Sequence, residues 1–130
     1  MSDGHRLFAW FYSKLAPKAD RRGTADHRRK LLSTARGQVV EIGAGTGLNL
    51  QYYPHDVSEV LATEPDLHMF RRLADAMAGA PGPVRLQRAA ADSLPLEDAW
   101  ADTAVCSLVL CSVPDQAAAL AEAHRVLKPG

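Results

Sequence analysis

The short run Gln38-Val39-Val40-Glu41-Ile42 leads straight into Gly43-Ala44-Gly45-Thr46-Gly47. A glycine-rich turn between a strand and a helix is where a ligand's charged group meets free backbone N–H groups and the positive end of a helix. Glycine suits such a turn because a Cβ would block close approach, although a plain tight turn needs the same residues. The dinucleotide fingerprint G-x-G-x-x-G is not completed, since its sixth position is Leu48. Glu41, two residues before the first glycine, would repel a diphosphate and attract a cation, so the expected ligand carries a positive group. Glu64 stands 17 residues beyond Gly47, either as an acceptor for two ribose hydroxyls or as a surface acid beside a helix start. Asp92, in Ala91-Asp92-Ser93-Leu94-Pro95, is either an acceptor for an exocyclic amine or a turn and cap residue.

Other reactive side chains lead nowhere comparable. His5, His27, His55, His68 and His124 are scattered without metal-ligand spacing, so no metal site is expected. Cys106 and Cys111 sit five apart in one apolar stretch with no histidine paired to them, which reads as two reduced, buried thiols whose setting raises rather than lowers the pKa. Phe8, Trp10, Phe11 and Tyr12 fall together on a helical repeat, as core or as an apolar lid over a reacting group, with Phe11 and Tyr12 the candidate lid residues. Trp100 carries the same two readings.

The elements that must position these residues follow from periodicity. Leu7, Phe8, Phe11, Tyr12 and Leu15 make an amphipathic helix of His5 to Ala19; Thr24 is a candidate cap for a second helix with Leu31 and Leu32 inward, stopped by Gly37. After the strand over residues 38–42, a helix is expected from Thr46 to Tyr53, ended by Pro54. Glu59 to Thr63 is a second strand, followed by a helix opened by Pro65 and carrying Leu67, Phe70, Leu73, Ala74 and Met77. Val84-Arg85-Leu86 is a third strand. Thr103 to Leu110 is a fourth, with the nearly continuous apolar run of a strand covered on both faces. Pro114-Asp115 starts a last helix through Ala117, Leu120, Ala121, His124 and Leu127. This order predicts an α/β fold: a doubly wound, mostly parallel sheet with two N-terminal helices, divided into a helical cap over residues 1–36 and a ligand-binding part over 37–130. The chain stops at Lys128-Pro129-Gly130, where a fifth strand is expected, so the domain reads as incomplete and its exposed sheet edge as a route to homo-oligomers.

Composition narrows the function classes. A length of 130 residues allows one core, and 47% apolar with 23% charged residues is globular rather than disordered or collagenous. No run of about twenty apolar residues could cross a bilayer, and the basic residues among the first thirty break any signal-peptide pattern, which leads to a cytoplasmic expectation. A net charge of zero argues against a general nucleic-acid binder. The halves differ all the same: residues 1–36 hold nine Lys/Arg against three Asp/Glu, and residues 37–130 hold six against twelve. A basic arm of that kind is a solvated helix face or a contact for an anionic partner.

Taken together, the motifs resemble the class I S-adenosylmethionine-dependent methyltransferases from about Gln38 to Gly130. Val39 to Gly47 is similar to that family's first motif, Ala62-Thr63-Glu64-Pro65-Asp66 to its ribose motif, Ala90 to Pro95 to its adenine motif, and His124-Arg125-Val126-Leu127-Lys128-Pro129-Gly130 to the segment leading to the fifth strand. The resemblance implies that Glu41, Gly43, Ala44, Gly45 and Gly47 hold the methionine part and that Glu64 holds the ribose hydroxyls. It places Pro65 against the adenine ring, Asp92 at the adenine amine with Ser93 also cofactor-binding, and the backbone of Ser107 and Leu108 at the methionine ammonium. Leu48-Asn49-Leu50-Gln51-Tyr52-Tyr53-Pro54 and Ser107 to Val113 are similar to the small-molecule branch called methyltransferase domain 11, and within it to thiol S-methyltransferase-like members; Ala101 departs from that branch's usual aromatic. The implied function is methyl transfer from S-adenosylmethionine to a small thiol or apolar acceptor. Two other readings stand beside it: a non-catalytic cofactor-binding or partner domain, and a nicotinamide-dependent oxidoreductase, which Leu48 and Glu41 disfavour.

Overall fold

The structure, a computed structural model, describes residues 25–106 and 114–129. The expected first helix with Phe11 and Tyr12, the cap Thr24, the backbone at Ser107 and Leu108, and Cys111 lie outside the described residues. The described elements are α1 (Ala25–Leu32), β1 (Gly37–Ile42), β2 (Val57–Thr63), α2 (Leu67–Ala76), β3 (Val84–Gln87), β4 (Thr103–Val105) and α3 (Gln116–Val126), with short 3-10 turns at Leu50–Tyr52 and Met77–Gly79.

The four strands form one parallel sheet in the order β3-β2-β1-β4. β1 is central, pairing Val39 with Val60 on one side and with Thr103 on the other. Because the chain runs outward from β1 through β2 and β3 and then returns to β1's other side, the winding reverses between β1 and β4. A crevice at the carboxyl ends of the strands there is where open α/β sheets bind ligands.

Side chains of a strand alternate between faces, and β1 shows it clearly. Val39 packs with Leu32, Ala35, Leu50, Tyr53, Val60 and Leu73 on the face covered by α1 and α2, whereas Val40 and Ile42 pack with Leu94, Ala101, Ala123 and Val126 on the face covered by α3. Glu41 shares the parity of Val39 and so is directed into the α1 side. Leu32 and Ala35 thus belong to the same core as the sheet.

Several local expectations are corrected. Thr46 to Tyr53 forms turns and the single 3-10 turn rather than a helix, because Gly45 and Gly47 take φ of +62° and +84°, a left-handed conformation no right-handed helix can contain. Gly37 does not stop α1. The helix ends at Leu32, and Gly37, at φ +64°, opens β1 beside a register irregularity. Leu31 is 55% exposed while Leu32 is buried, so the inward stripe is narrower than expected. Pro65 precedes the α2 cap instead of opening the helix; Asp66 holds that place because its carboxylate accepts from the free N–H groups of His68 and Met69. On α2 the residues fully buried are Met69 and Leu73, with Leu67 and Met77 partly exposed. On α3 the inward face is Ala119, Ala123 and Val126, while Ala117, Leu120, Ala121 and His124 face outward. Small side chains let that helix lie close to Val40 and Ile42, a contact the larger Leu120 would hold apart. The expected fourth strand is described from Thr103 to Val105, its remainder lying outside the described residues. After α3 the chain returns beside Ala101, whose N–H donates to Val126 O and whose carbonyl accepts from Lys128 N–H.

Gly37 is held by its surroundings as well as by its φ. Asp102 accepts from the Gln38 N–H at 2.8 Å and pairs with Lys128 at 2.9 Å, and a Cβ on Gly37 would run into that carboxylate. Gly37→Ala is therefore expected to lose about 2 kcal/mol or more of stability, from left-handed strain and displacement of Asp102. Urea unfolding of both proteins measures it, and a loss below about 0.5 kcal/mol, the range of an ordinary surface change, would contradict the assigned strain.

Candidate functional site

The glycine turn caps the carboxyl end of β1. Gly43, Gly45 and Gly47 all have positive φ, of 65°, 62° and 84°, so the turn is built from conformations that L side chains resist. It is hooked to the end of β2 by two bonds: Ala44 N–H donates to Thr63 O at 2.8 Å, and Gly45 N–H donates to Glu64 Oε1 at 3.0 Å. The other Glu64 oxygen accepts from Asp66 N–H at 2.8 Å. An ionised carboxylate offers about four lone-pair directions, so two remain for incoming hydroxyl donors. Burial pushes the Glu64 carboxyl up, with the two backbone N–H bonds pulling it back down. Gly47 also has a packing task. A Cβ there would stand 2.7 Å from Ala76 Cβ and 3.0 Å from Leu73 Cδ1, so this glycine admits α2.

Glu41 is 2% exposed and enclosed by groups of its own chain. The Tyr53 hydroxyl donates to Oε1 at 2.5 Å and Asn49 Nδ2 to Oε2 at 3.4 Å. The cation this carboxylate attracts within the protein is Arg28, itself buried on α1 and donating to Asn49 Oδ1 at 2.7 Å. Burial dominates all the same and pushes the Glu41 carboxyl up to about 7, against the lowering by Tyr53, Asn49 and Arg28. Burial, and then the neighbouring Glu41, raise the Tyr53 phenol and the Cys106 thiol as well. Cys106 is thus a protonated, half-buried thiol at the end of β4.

Asp92 and Ser93 are exposed on the loop after β3, in a turn closed by Ser93 N–H donating to Ala90 O. That loop is pinned from α3. Glu122 accepts from Leu94 N–H at 2.7 Å, and Arg125 donates to Leu94 O, Leu96 O and Asp98 while pairing with Glu122. Pro65 is exposed at the head of α2, its carbonyl accepting from Arg88. Trp100 packs on the α3-side core with the Arg85 guanidinium 5.9 Å from its ring centre. The turn and Glu64 therefore form one bonded unit, while Asp92 and Ser93 stand on a separately braced loop. Among the described residues no group of three or more His, Cys, Asp or Glu could hold a metal ion.

Sequence reasoning missed Arg28, Asn49, Tyr53, Glu122 and Arg125. A signal existed for Asn49 and Tyr53, since a carboxylate on a buried strand demands donors and these are polar residues within the next twelve. Nothing marked Arg28 among the basic residues of its segment.

A family model described as a methyltransferase domain matches residues 40–130. The chain belongs to this methyltransferase family. It is 34% identical to the human thiol S-methyltransferase TMT1B over 141 aligned residues, covering 95% of this chain and 54% of that protein. It is 31% identical to the ubiquinone/menaquinone biosynthesis C-methyltransferase UbiE of Syntrophotalea carbinolica, covering 85% of this chain and 48% of that protein. Among solved structures, an S-adenosylmethionine-dependent methyltransferase of Thermotoga maritima superposes with a TM-score of 0.74 at 27% identity, over 96% of this chain and 57% of the other. The YcgJ protein of Bacillus subtilis gives 0.71 at 28% identity, over 79% and 47%. The chain spans about half the length of the curated relatives it matches. Its parallel sheet with flanking helices is the Rossmann-like fold of the S-adenosylmethionine-dependent methyltransferases.

The raised Glu41 carboxyl has a consequence for stability. A group with a folded pKa of about 7 and an ordinary value of 4.5 binds its proton more tightly in the folded protein, so its contribution is full below about pH 4.5 and is lost as pH rises through about 7. The loss is on the order of 3 kcal/mol. Thermal midpoints of the protein and of Glu41→Gln, taken from pH 4.5 to 8.5, should diverge in slope, with the variant flatter whatever its absolute midpoint. The difference between the profiles cancels the histidines that both share, and parallel profiles would show that Glu41 does not titrate in this range.

Proposed function

We propose that this chain carries the cofactor-binding part of an S-adenosylmethionine-dependent methyltransferase acting on a small molecule, with thiols as the favoured acceptor class. The observation that carries the reading is the turn of three left-handed glycines at the sheet's switch point, bonded through Gly45 to a Glu64 carboxylate that keeps acceptor capacity. The donor set suits a ligand with a diol and a positive group: Glu64 for the ribose hydroxyls, and Gly43, Ala44, Gly45 and Gly47 along the methionine part. Glu41 is assigned a contribution through its field from beneath the turn, where it is 2% exposed and accepts from Tyr53 and Asn49. Pro65 is assigned to the adenine ring, Asp92 and Ser93 to the adenine amine, Ser107 and Leu108 to the methionine ammonium, and Phe11 and Tyr12 to an apolar cover.

When bound, S-adenosylmethionine supplies an electrophilic methyl group on a sulfonium. The protein's share of an in-line displacement is to hold the partners in line and to exclude water. Cys106 is kept protonated by burial and by Glu41, so the nucleophile belongs to the substrate rather than to this thiol. The thiol preference is carried by the likeness to the human thiol S-methyltransferase. Residues 1–36 are assigned as an N-terminal helical cap. No helix among the described residues is long and apolar enough to cross a membrane, and we place the activity in the cytoplasm.

Calorimetric titration with S-adenosylhomocysteine tests the assignment, with NAD as the comparison and no heat expected from it. Glu64→Ala should weaken S-adenosylhomocysteine at least about tenfold, since two charge-assisted hydroxyl bonds are lost. An analogue without the ribose hydroxyls should bind the two proteins alike. Equal weakening of both ligands would mean that Glu64 merely shapes the turn, and unchanged affinity would remove the ribose assignment.

A further inference from the structure

Arg28 lies on α1, 13 residues before Glu41, and is 6% exposed. A guanidinium keeps its charge at every pH a folded protein meets, so its burial is tolerated only beside acceptors and an opposite charge. Both are present in one chain of contacts. Arg28 Nη1 donates to Asn49 Oδ1 at 2.7 Å, Asn49 Nδ2 donates to Glu41 Oε2 at 3.4 Å, and the Tyr53 hydroxyl donates to Glu41 Oε1 at 2.5 Å. The Asn49 amide can serve a cation and a carboxylate together in one orientation, with its oxygen to Arg28 and its nitrogen to Glu41. Asn49 and Tyr53 bracket the 3-10 turn Leu50–Tyr52, and Asn49 is two residues beyond the last glycine of the cofactor turn.

We propose that Arg28 is a positioning residue for the cofactor turn: through Asn49 it holds the segment 47–53 against Glu41 and keeps the glycines in their binding shape. It acts at one remove from the ligand, and its effect on binding rests on the cofactor reading given above. The 47–53 segment needs such a restraint because it has no helix of its own. Its backbone bonds are isolated turns, Gly47 N–H to Ala44 O, Leu50 N–H to Gly47 O and Tyr52 N–H to Asn49 O. Among the described residues, the groups facing the Glu41 carboxylate are Arg28 from α1, Asn49 and Tyr53 from this segment, and Cys106 from the end of β4. Arg28 supplies the positive charge in that set. Without it the carboxylate is held neutral to a higher pH, because Arg28 lowers the Glu41 pKa. A side chain serving packing alone would leave that titration where it is.

The test uses the 130-residue chain and its variants Arg28→Met, Asn49→Leu, the double variant and Arg28→Lys. Two readouts are taken: S-adenosylhomocysteine affinity by calorimetry, and thermal midpoints from pH 4.5 to 9. Arg28→Met and Asn49→Leu should each weaken binding about tenfold, and the double variant no more than the worse single one, because the two residues act in series. In Arg28→Met the fall of stability with pH should extend to higher pH than in the unaltered protein, and Arg28→Lys, which keeps the charge, should restore the original midpoint. Additive losses, unaltered affinity in Arg28→Met, or an unmoved pH midpoint would overturn the proposal. Should Arg28→Met fail to fold, Arg28→Lys alone and with Asn49→Leu carries the same cycle, a milder loss without additivity being expected. An unaltered protein that binds no S-adenosylhomocysteine overturns the cofactor reading, and the binding half of this proposal with it. The thermal profiles still decide whether Arg28 acts on Glu41.

Discussion

A carboxylate buried at the end of the central strand governs much of this structure. Glu41 lies on the inward face of β1, where an isolated charge would cost several kcal/mol. The protein meets that demand with a phenol, an amide and a guanidinium drawn from two different segments. Each partner constrains its own backbone. The chain after the glycines is kept in isolated turns that aim Asn49 and Tyr53 back at β1, and α1 is anchored by a charge as well as by Leu32. The arrangement is closed to solvent on the face of β1 that carries the buried apolar cluster, and that burial pushes the carboxyl toward neutrality.

Glu64 shows the complementary case. It too is buried and has its carboxyl raised, yet its partners are backbone N–H groups of the turn and of the α2 entry, which leave acceptor positions in hand. Two acids at the ends of adjacent strands therefore do different work: Glu41 accepts from side chains of the segment that folds back over it and organises the protein, while Glu64 accepts from backbone N–H groups and ties the turn to the entry of α2. The division follows from where each strand ends. β1 leads into a turn that folds back over its last residue, and β2 leads directly into a helix N-terminus whose N–H groups are already served by Asp66.

The loop bearing Asp92 and Ser93 is organised by a third device, the Glu122 and Arg125 pair on α3, which binds loop backbone from outside the sheet. Leu94 of the same loop is buried with Val40 and Ile42, and the polar bracing adds a fork of donors reaching the carbonyls of Leu94 and Leu96. In this chain of a methyltransferase family, the described residues thus spend polar groups on holding turns and loops in fixed shapes.

The sequence by itself determined the parallel α/β class, the strand positions, the glycine turn and the two acids beside it. These follow from local composition: β-rich runs about twenty residues apart, and glycines where no other residue adopts the backbone. It also carried the motifs that resemble the methyltransferases. The tertiary structure alone decided which helix faces turn inward, because on α3 the choice between Leu120 and the small Ala119 and Ala123 depends on how near the sheet lies. It decided too that residues 46–53 are not helical. There Gly45 and Gly47 take left-handed conformations that no right-handed helix contains. Above all it decided the partners of the buried charge. Arg28 and Asn49 are 21 residues apart and meet only because α1 and the turn cover the same face of β1, a coincidence of packing that no local pattern encodes.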